Sequence, residues 1–215
     1  MRRVRVKVCG ITNREDLEVA VDAGADALGF VVDVPASPRS ISLDRARDLI
    51  EATPPFVQDV LVSVFDTVNQ LEMLCSCLAP DAVQVAGTLA RDAVCEQLRG
   101  IRVIHAVAVN DEADVVLPFA ACCDAILTDS CVPGAHGGTG KPHDWNVSRA
   151  IRELIAPTPL ILAGGLTPGN VRTAIETVRP YAVDVSSGVE ARAGIKDPAK
   201  IRAFIEAVKE ASDGL

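Results

Sequence analysis

The stretch Leu160-Ile161-Leu162-Ala163-Gly164-Gly165-Leu166-Thr167-Pro168 decides the fold class, because it joins a short apolar run to two glycines and then to a helix start. Pro in a first helical turn omits an amide that would have no partner there. The same order, a Val/Ile/Ala-rich run followed by apolar residues at helical spacing, recurs along the whole chain. The strand candidates are residues 4–9, 26–32, 57–64, 82–85, 101–107, 124–127, 159–163 and 182–185, and the helix candidates are residues 14–23, 43–52, 68–78, 90–98, 111–119, 146–154, 168–177 and 198–211.

Eight strand–helix units in 215 residues predict an α/β protein, a single-domain (β/α)8 TIM barrel over residues 1–215. Each unit has roughly 27 residues, at the lean end of a fold that typically has about 250. Runs that are apolar throughout suit parallel strands covered on both faces. The alternative is an open doubly wound sheet, which usually has fewer strands and begins with a glycine-rich dinucleotide-binding turn. The first turn here, Cys9-Gly10-Ile11-Thr12-Asn13, has one glycine, so we favour the barrel.

Charge and composition exclude several classes of partner. The chain has 21 basic and 29 acidic side chains, for a formal charge of -8 and a pI near 4.9. Nucleic acids and anionic membranes both require clustered positive charge, so neither is expected as a partner. No segment approaches the roughly 18 apolar residues of a membrane span, and the first residues lack the apolar core of a secretory signal. We therefore expect a cytoplasmic protein.

The seven cysteines raise the question of a metal site. No pair has the Cys-x-x-Cys spacing that is typical of zinc and redox sites, so we predict no metal. Five of the thiols lie in or beside apolar stretches, where a free Cys packs as a small hydrophobic group. These are Cys75, Cys77, Cys95, Cys122 and Cys123.

The last two strand candidates end in turns of glycine and serine, Gly164-Gly165 and Ser186-Ser187-Gly188. In a (β/α)8 barrel the functional residues follow the carboxyl ends of the strands. Glycines let backbone amides approach an anion closely, and a helix N-terminus adds its dipole. We predict a phosphate site built from Gly165, Ser186, Ser187 and Gly188, with simple tight turns as the alternative.

The longest segment without periodicity is residues 128–143, which contains His136-Gly137-Gly138-Thr139-Gly140-Lys141-Pro142. It is not a nucleotide P-loop, because Ala135 stands where that motif needs its first Gly and Pro142 stands where it needs Ser or Thr. A long glycine-rich loop in a compact domain is more often a mobile cover than an irregular connection. We predict an active-site lid in which His136 and His143 are exposed.

Cys9, Asp129 and Asp184 are the acid–base candidates at strand ends. A thiol acts as a base once amides, a helix N-terminus or a cation lower its pKa, and Cys9 directly precedes a helix start. Asp129 follows the sixth strand candidate, across the barrel mouth. A packed thiol and a solvated acid or helix cap remain the alternatives for these two residues.

Arg39 lies in Pro35-Ala36-Ser37-Pro38-Arg39-Ser40, a loop stiffened by two prolines. A planar guanidinium held on a rigid loop suits bidentate binding of a carboxylate. The alternative is a charge that faces solvent.

Together these residues resemble the phosphoribosylanthranilate isomerase family of tryptophan biosynthesis, over essentially the whole chain. The Cys9-Gly10-Ile11-Thr12 start is the most specific match, since the similar isomerase of histidine biosynthesis has an Asp at that strand end. The other matches are Gly24-Ala25-Asp26-Ala27-Leu28-Gly29-Phe30, Ser37-Pro38-Arg39, Thr128-Asp129-Ser130, Gly137-Gly138-Thr139-Gly140-Lys141, Asp144-Trp145, the Leu162–Pro168 stretch and Val183-Asp184-Val185-Ser186-Ser187-Gly188-Val189-Glu190.

The resemblance implies an intramolecular oxidoreductase, an aldose–ketose isomerase that performs an Amadori rearrangement on a phosphoribosyl substrate. Asp129 would be the general acid and Cys9 the general base, with no cofactor and no metal. Arg39 would hold the anthranilate part, and the chain would be a monomer or a homodimer. The implied substrate-binding residues are Arg39, Gln84, Gly164, Gly165, Asp184, Ser186, Ser187 and Gly188.

Two departures from the family pattern are visible. Ala86 stands where the family commonly has a His after the fourth strand, and the lid reads Lys141-Pro142-His143 before Asp144-Trp145. Two other functions are weighed: a histidine-pathway isomerase on the same barrel, and a non-catalytic phosphosugar-binding barrel. The first should carry Asp in place of Cys9, and the second should have lost Cys9 or Asp129.

Overall fold

The computed structural model describes residues 3–65, 67–86, 100–109, 117–130 and 143–214. The strands are β1 (Arg5–Cys9), β2 (Ala27–Val32), β3 (Ser40–Ile41), β4 (Gln58–Val62), β5 (Ala82–Ala86), β6 (Arg102–Val109), β7 (Ala125–Ser130), β8 (Leu160–Leu162), β9 (Ala182–Val185), β10 (Glu190–Arg192) and β11 (Ile195–Lys196).

Eight of these strands close into a parallel barrel in the order β1-β2-β4-β5-β6-β7-β8-β9. The decisive pairing joins β9 back to β1, with Lys7 opposite Asp184 and Val8 opposite Val185. The two-residue strand β3 is added to the end of β2, and β10 and β11 form an antiparallel hairpin after β9. The barrel prediction is therefore confirmed, and the open sheet is excluded.

The helices are α1 (Arg14–Ala23), α2 (Leu43–Ala52), α3 (Val68–Leu78), α4 (Leu117–Ala120), α5 (Trp145–Leu154), α6 (Val171–Val178) and α7 (Pro198–Asp213), with one 3-10 turn at Ser187–Val189. The first three have the predicted bounds. The candidate at residues 90–98, and most of the one at 111–119, lie outside the described residues.

Polar side chains at the helix starts explain why these bounds were predictable. Asn13 Oδ1 and Ser42 Oγ each accept a hydrogen bond from an amide in the first turn, and Thr67 forms a reciprocal capping box with Gln70. The predicted start at Pro168 is wrong. The amide of Thr167 donates to Asn170 Oδ1, and this turn delays the helix until Val171.

Side chains alternate across the strands and create two cores. Even-numbered residues of β1, such as Val6 and Val8, face the helices, whereas odd-numbered residues face the barrel axis. Small and medium side chains fill the interior layer: Val60, Ala82, Ile104, Ala125, Leu127, Ile161, Ala163 and Ala182. The next interior positions toward the carboxyl ends of the strands carry Lys7, Gln84, Asp129 and Asp184, so a polar layer closes the mouth.

Across the described ranges, no helix combines the length and the apolar character that a membrane crossing needs. Cys75 and Cys123 are buried free thiols, as predicted. The expectation is wrong for Cys77, which is exposed, and for Cys122, which is disulfide-bonded.

Candidate active site

Lys7 is the centre of the polar layer at the barrel mouth. Its ammonium is buried and donates to Asp184 Oδ1 at 2.9 Å and to Gln84 Oε1 at 3.0 Å. Burial disfavours the charged form, but the charges of Asp184 and Cys9 outweigh it and raise the pKa of Lys7 to about 12. Gln84 and Asp184, both predicted as site residues, are therefore brought together by a lysine that was not among the predicted site residues.

Cys9 ends β1 and is almost completely buried, with 8% of the residue exposed. Gly29 lies opposite it on β2 and provides its space, because a Cβ there would lie 2.8 Å from Cys9 Sγ. Burial raises the pKa of the Cys9 thiol, while Lys7 and Lys196 act in the opposite direction. Asp184 adds to the effect of burial, so the pKa of the thiol lies above its usual range, and the two ammonium groups partly offset the cost of ionising Cys9.

Lys196 on β11 has no exposed side-chain surface, and sequence reasoning did not find it. Its ammonium donates to three oxygens, the Cys9 carbonyl at 2.6 Å, the Ser186 carbonyl at 3.2 Å and Glu190 Oε1 at 3.1 Å. The ammonium therefore joins the end of the Cys9 strand to the loop after β9. No local pattern around Gly194-Ile195-Lys196 indicates this contact, because it depends on the antiparallel pairing of β11 with β10.

Arg39 holds a carboxylate in the bidentate manner predicted for it, but the carboxylate belongs to the protein. Nε and Nη2 donate to the two oxygens of Glu190 at 2.7 Å and 2.8 Å. Burial opposes ionisation of Glu190, yet Arg39 and Lys196 keep the pKa of that carboxyl below its usual range. The guanidinium has five N–H groups, and this pair uses two of them. The aliphatic part of the Arg39 side chain packs directly over Gly10, the residue that follows Cys9.

Asp129 lies at the carboxyl end of β7, three strands from Cys9 around the ring. Burial and the charge of Asp184 raise the pKa of Asp129 to about 6, against the opposing effects of the Ser130 amide and Lys7. Gly164 packs against this strand end, because a Cβ at that position would lie 3.0 Å from Asp129 Oδ1 and 2.5 Å from the Ser130 nitrogen. Asp129 and Cys9 thus share the charged neighbours Lys7 and Asp184.

The predicted phosphate turns lie against each other at the ends of β8 and β9. Gly164 and Gly165 have φ values of 85° and 64°, in the left-handed region that glycine adopts without strain. A Cβ at Gly188 would lie 1.8 Å from the Leu166 carbonyl oxygen, so the two turns pack too closely for any other residue.

Ser186 provides a polar group at the same place. Its Oγ is buried, and no hydrogen-bond partner for it occurs within the described part of the chain. The Asn170 side chain, which sequence reasoning missed, donates to the Gly165 carbonyl at 2.9 Å and fixes that turn. A buried hydroxyl beside glycine backbone at the mouth is suited to an anionic ligand.

The family model of N-(5'phosphoribosyl)anthranilate (PRA) isomerase matches residues 6–207. The chain belongs to this family. The resemblance inferred from the Cys9 motif and the strand-end turns is thereby confirmed, and the histidine-pathway alternative is not favoured.

Individual family members match the chain over nearly its full length. The N-(5'-phosphoribosyl)anthranilate isomerase of Natronomonas pharaonis is 46% identical over 204 residues, which cover 94% of this chain and 97% of the relative. The crystal structure of the family member from Thermotoga maritima has a TM-score of 0.87 and 42% identity, covering 96% of this chain and 99% of that one.

A further family structure contains a ligand, reduced 1-(o-carboxyphenylamino)-1-deoxyribulose 5-phosphate. It has a TM-score of 0.83 and 40% identity to this chain, and it covers 96% of this chain and 99% of that one.

Part of the predicted lid falls outside the described residues. Of residues 128–143, only 128–130 and 143 are described, and the glycine-rich motif lies in the gap. The prediction that His143 is exposed is wrong, since the residue is half-buried and both ring nitrogens have hydrogen-bond partners. Within the described ranges, no group of three or more His, Cys, Asp or Glu side chains has the arrangement of a metal site.

Proposed function

We propose that this chain is an N-(5'-phosphoribosyl)anthranilate isomerase of tryptophan biosynthesis. It converts phosphoribosylanthranilate to 1-(2-carboxyphenylamino)-1-deoxyribulose 5-phosphate by an Amadori rearrangement. Family membership supports the reaction. The observation that carries the mechanism is the placement of one thiol and one carboxyl group, Cys9 and Asp129, at the same barrel mouth with two buried lysines beside the thiol.

Asp129 is the general acid of the first step. It donates a proton to the ribose ring oxygen while the bond from that oxygen to C1' breaks and the anilino nitrogen forms a C1'=N bond, which gives an open-chain Schiff base. The pKa of Asp129, raised to about 6 by burial and by Asp184, keeps a useful fraction of the carboxyl protonated near neutral pH. An ordinary aspartate would hold far less of its proton at that pH.

Cys9 is the general base of the second step. Its thiolate removes the proton from C2', the C1'=C2' bond forms, and the electrons of the C=N bond return to nitrogen to give an enolamine. Tautomerisation of the enolamine places a carbonyl at C2' and a proton on C1', so the product is an isomer of the substrate. Lys7 and Lys196 favour the thiolate, and Cys9 needs this help because its site excludes water.

The remaining predicted residues bind the two anionic ends of the substrate. The glycine and serine turns, Gly164-Gly165 and Ser186-Ser187-Gly188, receive the 5'-phosphate, and the buried Ser186 hydroxyl supports this assignment. Arg39 reaches the anthranilate carboxylate with the N–H groups that Glu190 does not use. Gln84 and Asp184 contact the ribose hydroxyls, and hydrogen bonds from the Lys7 ammonium hold both side chains in place.

The test is conversion of phosphoribosylanthranilate, generated in situ, followed as loss of the anthranilate-type fluorescence. Wild-type protein should turn it over, whereas Cys9→Ala and Asp129→Ala should each lose about 1000-fold or more in kcat with the fold intact. Cys75→Ala, which removes a buried thiol on α3, is the matched control and should keep its activity. Near-normal activity of Cys9→Ala would show that the assigned base is wrong.

We also propose that all 215 residues form one barrel domain and that the protein acts in the cytoplasm on small phosphorylated molecules. Such substrates carry charges that do not cross a bilayer unaided. Light scattering on the purified chain decides between a monomer and a homodimer.

A further inference from the structure

A chain of four side chains runs behind Asp129, and the assigned mechanism does not use it. His143 Nδ1 lies 3.1 Å from Ser130 Oγ, and His143 Nε2 lies 2.6 Å from Ser148 Oγ. Ser148 Oγ in turn donates to Thr128 Oγ1 at 3.0 Å. Thr128 and Ser148 are completely buried, and Ser130 is nearly so. The chain therefore connects the start of α5 to the end of β7.

In this chain of hydrogen bonds, the Ser148 hydroxyl donates to Thr128. A serine hydroxyl has one hydrogen, so in this arrangement the oxygen of Ser148 accepts from His143 Nε2–H. A neutral imidazole that carries its proton on Nε2 has a lone pair on Nδ1, which accepts the Ser130 hydroxyl. Burial lowers the pKa of His143 and favours this neutral form, although Asp144 opposes the effect.

The two residues of β7 in the chain are the immediate neighbours of Asp129. Side chains alternate along a strand, so Thr128 and Ser130 point toward α5 while Asp129 points toward the barrel axis, in line with the interior residues Ala125 and Leu127. Anchoring both neighbours fixes the pleat of the strand at this position, and with it the direction of the Asp129 side chain.

The opposite side of the strand end is held by backbone. A Cβ at Gly164 would lie 2.3 Å from Ser130 Oγ, so the β8 turn leaves Ser130 no room to move in that direction. The hydroxyl of Ser130 is therefore confined between Gly164 and the ring of His143. Displacement of the ring is the way in which this strand end could relax.

We propose that His143, acting with Ser148, is a positioning residue that aims the Asp129 carboxyl at the substrate by anchoring Thr128 and Ser130. The inference rests on the proposed function, since it assigns Asp129 as the acid. His143 does not touch the reacting atoms. His143 also belongs to the Lys141-Pro142-His143 segment at which this chain departs from the common family pattern.

Kinetics of His143→Ala provide the first test. Loss of the anchor leaves Asp129 present but less well directed, so kcat should fall by about 10- to 100-fold while KM changes by less than about 3-fold. His143→Gln keeps one donor and one acceptor on a planar group and should recover part of kcat. Asn146→Ala, at an exposed site in the first turn of α5, is the matched control and should behave as wild type. A change in KM alone, with kcat preserved, would overturn the proposal.

A second measurement does not depend on activity. The pKa of Asp129 is read from the carboxyl 13C chemical shift as a function of pH. Two charged side chains act on this carboxyl, Asp184 on β9, which raises its pKa, and Lys7 on β1, which lowers it. In His143→Ala the freed carboxyl gains access to water, and its pKa should fall toward the ordinary value by roughly half a unit or more. Ser148→Ala removes the hydrogen-bond partner of His143 Nε2 and should give the same shift in the pKa of Asp129. This variant takes the place of His143→Ala if the latter fails to fold. An unchanged pKa in a folded variant would refute the positioning role, whereas inactive wild-type protein would refute the proposed function alone.

Discussion

The two halves of the barrel mouth are built from opposite kinds of groups. The base half, formed by the ends of β1 and β9 and the β10–β11 hairpin, surrounds Cys9 with full charges: Lys7, Arg39, Asp184, Glu190 and Lys196. The acid half, formed by β7, the β8 turn and the start of α5, supports Asp129 with hydroxyls, one imidazole and glycine backbone.

This difference matches what each group has to do. A base must lose its proton in a buried site, which requires nearby cations to offset the cost of a desolvated anion. An acid must keep its proton near neutral pH, and burial together with the anion of Asp184 favours the protonated form of Asp129. Environment, more than residue type, thus assigns the two roles. Three cations of the base half, Lys7, Arg39 and Lys196, provide local positive charge for an anionic substrate on a chain of net charge -8.

Removing the cation nearest the base should have the largest effect. Lys7→Met deletes the charge that lowers the pKa of Cys9 most, so that pKa should rise further, and kcat near neutral pH should fall by about 100- to 1000-fold. The thiolate is titrated by its ultraviolet absorbance, as the difference between each protein and the same protein with Cys9→Ala.

The single variant also leaves Asp184 buried without a partner, which can cost about 3–5 kcal/mol of stability. Lys7→Met combined with Asp184→Asn removes both charges and serves as the folded control. Since Lys7 outweighs Asp184 at Cys9, the pKa of the thiol should still rise in the double variant, by less than in Lys7→Met. A thiol that titrates as in wild type would mean that the base half does not work through charge.

Lys196→Met should have a smaller effect on the same half. Lys196 acts on the Cys9 thiol less strongly than Lys7, but its ammonium holds the carbonyls of Cys9 and Ser186 together. We expect kcat to fall by about 10- to 100-fold and KM to rise, because the hydrogen bonds that join the phosphate turn at Ser186 to the end of β1 are lost. Lys200→Met is the matched control, as this exposed lysine donates to the Glu190 backbone carbonyl. If Lys196→Met bound a phosphate analogue as tightly as wild type does, the Lys196 hydrogen bonds would not hold the phosphate turn in place.

The partners of the catalytic groups were harder to predict from sequence than the barrel itself. Strand and helix periodicity depends on neighbouring residues, so the bounds of α1, α2 and α3 could be predicted without tertiary information. Cys9 and Asp129 could be found because a barrel places its chemistry after each strand. The partners of these groups could not. Glu190 lies 151 residues from Arg39, and the Lys7–Asp184 pair exists only because β9 closes onto β1 in one register.

His143 shows the same limit at short range. Only 13 residues separate it from Ser130, yet its polarity and its place in a glycine-rich loop indicated an exposed residue. Its ring meets two hydroxyls, Ser130 on β7 and Ser148 on α5, whose orientation follows from the packing of that helix on the barrel. Sequence patterns predict which face of a helix is buried, but they do not indicate which hydroxyl on that face needs an acceptor.

The smallest predicted effect is on the free energy of unfolding, and its sign differs between the acid half and the base half. Because the folded-state pKa of Asp129 is raised to about 6, the folded protein binds this proton more tightly than the unfolded chain does. The contribution of Asp129 to the free energy of unfolding therefore falls as pH rises from about 4 to 6, and the deficit persists above that range. Asp129→Asn removes this penalty while keeping an acceptor for the Ser130 amide. Urea unfolding should show Asp129→Asn gaining roughly 1–2 kcal/mol over wild type at about pH 8 relative to its difference at about pH 4. Asp48→Asn, at an exposed site on α2, is the matched control. Removing a lysine from the base half should destabilise the fold, so an inactive but more stable Asp129→Asn protein would show that only the acid half holds its catalytic group at the expense of stability.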